Sequence, residues 1–165
     1  MLDFIKKLFQ SSVPNAAVAW QQAGNEPENW YWLYAAPVHL VLQRDSFSLA
    51  EPVPLILEQS EIDALTKDLN AHFASDNKQF FWHDGQWFLR LQQHPQINTT
   101  HPKLVVNKNI TPFLPTGEGA MAWASFQNEV QMLLFSHPIN AARELKRLSV
   151  VNSMWCFGGG QIDAN

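Results

Sequence analysis

Cysteine is almost absent: Cys156 is the only one in the chain. That excludes an intramolecular disulfide and a thiolate-cluster metal site, and it fits a reducing, cytoplasmic compartment. Charge is also scarce. Asp, Glu, Lys and Arg make up 16% of the 165 residues, and the net charge is −4 with histidines neutral. A general nucleic-acid binder would carry a basic footprint, so none is expected. No apolar run approaches the roughly 20 residues that span a bilayer. The opening MLDFIKKLFQ is amphipathic, with Leu2, Ile5 and Leu8 on one side. It lacks the apolar stretch and cleavage site of a signal peptide; docking on the domain's own core is the commoner fate of such a segment, and a weak membrane-surface anchor is the alternative.

What the chain has is aromatic bulk: seven tryptophans and eleven phenylalanines, with 46% hydrophobic residues overall. Large rings bury much area per residue, so a core forms without staples. They are also enriched at interfaces, which keeps a self-associating or partner-binding surface in view. Trp30, Trp32 and Trp82 are the candidates for it.

Residues 1–29 read as a helix-and-loop approach, with a turn or two of helix around Ala16 to Gln22. The segment WYWLYAAPVHLVLQ reads as strand, interrupted or bulged at Pro37, which cannot donate to a ladder. A turn at residues 43–46 leads into a short strand, FSLA. SEIDALTKDLNAHFAS is a helix with Ser60 at its N-cap and Ile62, Leu65, Leu69 and Phe73 on one face. Asp84-Gly85 between two aromatic runs predicts a type I′ hairpin. KLVV reads as a short edge strand within a proline-broken region. AMAWASFQNEVQMLLFS is a second helix, with Trp123, Phe126, Val130, Leu133 and Leu134 inward. Pro138 ends it and opens a third, PINAARELKRLS, with Arg143, Lys146 and Arg147 giving a basic side. VVNSMWCF is a buried strand. The sum is an α+β domain over residues 30–165, a largely antiparallel sheet with about three packed helices.

The C-terminal part carries a resemblance. Asn128, Glu129, Gln131, Met132, Leu133 and Leu134 lie in a helix. His137, Pro138, Asn140 and Arg143 follow, then Asn152, Ser153, Trp155 and Gly158 to Gly160. This pattern resembles a bacterial family identified with the archaeal-type cofactor-independent phosphoglycerate mutases, and the likeness extends over roughly residues 30 to 160. It implies kinship with the alkaline-phosphatase-like superfamily. Those mutases interconvert 3- and 2-phosphoglycerate with two divalent metal ions and a phosphoserine, which needs clustered carboxylates and histidines. This chain has no Asp-Gly-x-Gly-Asp motif. Its one Asp-Gly, Asp84-Gly85, lies in the aromatic hairpin, and its seven aspartates are scattered. The matching part is therefore expected to be accessory, without the metal core and without a cofactor. The family pattern runs on past the glycines, so a fragment, a split gene product and a reduced relative all fit.

Each candidate has two readings. His137, Asn140 and Arg143 could bind an anion at a helix start, or cap a helix–helix corner. Gly158, Gly159 and Gly160, following Asn152, could cradle a phosphate, or form a turn or tail. Arg143, Lys146 and Arg147 could be a basic patch or a solvated face. Glu129 and His137 are too far apart on one helix to touch. Cys156 is expected to be buried and inert. His94 and His101 could meet in space, but a metal needs further ligands. The functional expectations are a non-catalytic phosphoglycerate mutase-like domain binding a phosphorylated or carboxylated metabolite, a protein-interaction or homo-oligomeric module, or a mutase or phosphatase completed by another chain.

Overall fold

The structure, a computed structural model, describes residues 13–162. The amphipathic opening segment lies outside the described residues. Four α-helices are described: α1 (Ala16–Gln22), α2 (Gln59–Phe73), α3 (Ala120–Phe135) and α4 (Pro138–Leu145). Six strands accompany them: β1 (Tyr31–Val38), β2 (Leu40–Leu42), β3 (Phe47–Leu49), β4 (Lys78–His83), β5 (Gln86–Leu91) and β6 (Ser153–Gly160). The main sheet has the order β4-β5-β1-β6 and is antiparallel throughout; β2 and β3 form a separate hairpin. The fold is α+β in one domain.

Strand alternation sorts the aromatics. Leu33, Ala35, Phe80, Leu89, Met154 and Cys156 point to the face covered by α2 and α3. Trp32, Tyr34 and Phe88 point the other way, onto Ala16 and Ala17 of α1. Ala36, Val38 and Trp155 pack with Leu40, Leu49, Val105 and Ile110. With both faces covered, every residue of β1 is buried. Trp32, offered above as a surface residue, is 1% exposed and stacks on Trp20 at 4.4 Å between ring centroids. Trp30 and Trp82 are only half-buried.

Asp84 (φ 53°) and Gly85 (φ 79°) turn the β4–β5 hairpin, with both central residues at positive φ as a type I′ turn requires. Ile62, Leu65, Leu69 and Phe73 are buried on α2, as are Trp123, Phe126, Val130 and Leu134 on α3.

Several expectations are corrected. The cap of α2 is Glu58, two residues before Ser60; the Glu61 carboxylate accepts the Glu58 backbone N–H at 2.9 Å, a reciprocal capping box. β1 runs through Pro37 and breaks at His39. The β5 ladder has already ended at Tyr34↔Phe88, so at Pro37 only β6 flanks the strand. KLVV is not an edge strand. Pro102–Leu104 is a 3-10 turn, started by proline and capped by His101, whose Nδ1 accepts the Lys103 N–H. The glycines do not follow β6 as a turn or tail; they are its last three residues.

Candidate functional site

The motif residues at the α3–α4 corner are joined mostly to backbone. Ser136 ends α3, and His137, at φ −70° and ψ 135°, caps α4. Its Nδ1 accepts the Ile139 N–H at 3.2 Å. The ring proton therefore sits on Nε2, which donates to Asp68 of α2 at 2.7 Å. Asn140 is 6% exposed. Its Nδ2 donates to Leu134 O and Val151 O, both at 2.8 Å, and its Oδ1 accepts the Val151 N–H at 2.9 Å. Asn152 makes the same kind of clasp on Leu40, accepting its N–H at 2.7 Å and donating to its carbonyl at 2.9 Å. Ser153 Oγ accepts from Gln127 and Gln131 of α3, at 2.9 and 3.2 Å.

Arg143 does not face solvent. It is 4% exposed, and its Nε donates to Ser149 O at 2.6 Å while Nη1 reaches both Glu61 oxygens at 3.1 and 2.9 Å. Burial alone would raise the Glu61 carboxyl. The Glu58 backbone hydrogen bond and the Arg143 guanidinium outweigh it and hold the carboxyl below its ordinary value. The expected basic side thus reduces to Lys146 and Arg147, beyond the end of α4. A groove of about 390 Å³ passes Arg143, but Glu58 and Glu61 line it too. Glu129 pairs with His72 at 3.3 Å, not with His137.

The glycines lie at the far end of β6. Gly159 lies seven positions along the chain from Asn152, about 20 Å at the rise of a strand. The structure therefore does not gather the glycines with His137, Asn140 and Arg143. Each glycine admits one neighbour. A Cβ on Gly158 would come 2.7 Å from the Tyr34 ring, one on Gly159 would overlap the Tyr31 hydroxyl, and one on Gly160 would overlap the Asn15 amide. Gly158 also has φ +62°. Between the pairs Tyr34↔Phe157 and Trp32↔Gly160, two β6 residues face one on β1. This is a β-bulge with glycine in the left-handed region.

Beside the bulge opens a hollow of about 420 Å³. Gly158, Gly159, Tyr31, Asn15, Asn98, His94 and His101 line it. The ring of His94 packs on Tyr31 at 4.5 Å, and that of His101 on Phe157 at 4.7 Å. Burial, with help from Lys103, lowers His101 to about 4, so its ring is neutral at pH 7. Burial raises the Tyr31 phenol. The two histidines line the same hollow, each packed on a different ring, and among the described residues no group of three or more His, Cys, Asp or Glu converges. Sequence reasoning missed Tyr31 and Asn98. The available signal was the glycine run after an aromatic strand, which asks for a bulky neighbour.

No protein-family model matches the chain, and no curated protein matches it. A solved structure does, the cofactor-independent phosphoglycerate mutase from Thermoplasma acidophilum DSM 1728. The TM-score is 0.56 at 12% identity, covering 82% of this chain and 38% of that one. This chain shares its fold with part of that mutase. At such low identity the likeness is one of fold, and the chain spans well under half of the mutase's length. Among the described residues no helix is long and apolar enough to cross a membrane.

Proposed function

We propose that the chain is a non-catalytic, phosphoglycerate mutase-like accessory domain that binds a phosphorylated or carboxylated metabolite. The observation that carries this reading is the fold shared over 82% of the chain with a stretch amounting to 38% of a mutase. The use of Asn140, Arg143 and Asn152 to tie α3, α4, β6 and β2 together supports a scaffolding role for the motif. The hollow beside Gly158 and Gly159 supports a ligand at the glycine end.

A second reading, a protein-interaction or self-associating module, has its own observation. Ile56, Phe135 and Leu145 are 82%, 87% and 88% exposed, and Met132 is 73% exposed.

Thermal melting with 3-phosphoglycerate, with and without Mn²⁺, tests the first reading. Binding to the native state stabilises it by about 2.7 kcal/mol at a hundredfold excess over Kd. The expected result is a saturable rise in Tm with phosphoglycerate alone. A rise that needs both ligand and metal would favour a mutase or phosphatase completed by another chain. No rise, with concentration-dependent sedimentation, would favour the interaction module.

A further inference from the structure

We infer that the hollow beside the β6 bulge is a carboxylate-binding site built from uncharged donors; this rests on the metabolite-binding reading above and names its place and ligand class. Among the described residues that line it, none is Asp, Glu, Lys or Arg. Its polar groups are nevertheless biased toward donation. His94 Nδ1 already accepts the Gln96 N–H at 3.0 Å, which leaves Nε2 as the donor of the ring. Asn15 Oδ1 is taken by the Val18 N–H at 3.0 Å, which leaves its Nδ2 as the free end of the amide. The Tyr31 hydroxyl stands over Gly159, held there because glycine has no Cβ.

A singly charged carboxylate is satisfied by two or three such neutral hydrogen bonds. A phosphate carrying close to two charges at neutral pH draws on guanidinium or ammonium partners, which this lining does not supply. The Arg143 groove has a guanidinium, but Glu61 occupies it and Glu58 adds like charge to any anion. The volume, about 420 Å³, lies within the range of small-molecule pockets and leaves ample room for a small carboxylic acid. The bulge borders this space: two residues face one, both are glycines against tyrosine rings, and Gly158, Gly159 and Tyr31 line the hollow.

The test is a titration of the whole chain, by calorimetry and by amide chemical shifts, with D-glycerate, 3-phosphoglycerate and inorganic phosphate. Expected are binding of both carboxylates, no binding of phosphate, and shifts centred on Tyr31, His94 and Gly159. Tyr31→Phe and His94→Ala are expected to weaken glycerate at least tenfold with Tm unchanged for Tyr31→Phe. Lys146→Ala, in the other groove, is expected to leave it unaltered. Phosphate binding as tightly as glycerate would overturn the carboxylate assignment. Shifts confined to Ser60, Glu61 and Lys146 would overturn the site while leaving the metabolite-binding reading standing. No binding of any of the three would overturn both.

Discussion

Arg143 on α4 and Glu61 on α2 form an ion pair at 2.9 Å, with side-chain exposures of 5% and 15%. It ties two helices 82 residues apart in sequence, and Ser149 O completes the guanidinium's contacts. Removing one partner leaves the other charge buried, so Arg143→Ala is expected to lower stability by about 3 kcal/mol in urea titrations. The paired change Arg143→Met with Glu61→Gln is expected to recover most of that loss, because no charge is left buried and the Gln side chain still offers an acceptor to the Glu58 N–H. A double variant as unstable as Arg143→Ala would show that the charges, not the packing, hold the corner.

Acid sensitivity follows from two groups whose folded values are lowered. Glu61 lies below its ordinary 4.5, so its contribution is complete above that value and is lost as pH falls through the folded one. His101 lies at about 4 against an ordinary 6.5, so the unfolded chain binds a proton there first and stability declines as pH drops from 6.5 toward 4. Both signs agree: stability falls toward acid. Ring-proton chemical shifts of His101 are expected to stay those of a neutral imidazole at pH 5.5. A midpoint near 6.5 would contradict the burial of that ring.

The glycine run can be dissected by comparing two positive-φ positions. Gly85, at φ +79°, has open space where a Cβ would go, so Gly85→Ala is expected to cost only the backbone term, about 1 kcal/mol. Gly158, at φ +62°, adds a clash with the Tyr34 ring, so Gly158→Ala is expected to cost clearly more, about 2–3 kcal/mol. Denaturation midpoints of the two variants decide it, and equal costs would mean that Tyr34 moves aside freely.

These comparisons mark what the sequence could disclose. The Asp84-Gly85 hairpin and the inward faces of α2 and α3 were legible because they obey local periods and local turn chemistry. The burial of Arg143 was not, since its partner Glu61 is supplied by another helix. Pro102 turned KLVV into a 3-10 corner although its composition favours strand. The hollow depends on the register that sets Gly159 against Tyr31, and register is a property of two strands together. Trp32 looked available for a partner, but α1 covers that face of the sheet.

Asn140 is the position where a nearly isosteric change is most informative. Its amide donates to two backbone carbonyls and accepts from one backbone N–H, all buried. Asn140→Asp keeps the shape and the acceptor but removes both donations and places a carboxylate against the Leu134 and Val151 carbonyls. It is expected to destabilise by about 3 kcal/mol or more, at least as much as Asn140→Ala, because each buried carbonyl left without a donor costs about 1–3 kcal/mol. Hydrogen exchange provides the local check: the Val151 amide is expected to lose protection in Asn140→Ala, whose side chain has no acceptor for it. If Asn140→Asp melts with the wild type, the amide's two donations do not anchor α4 to β6, and the corner's stability must come from the Arg143–Glu61 pair and the His137 cap alone.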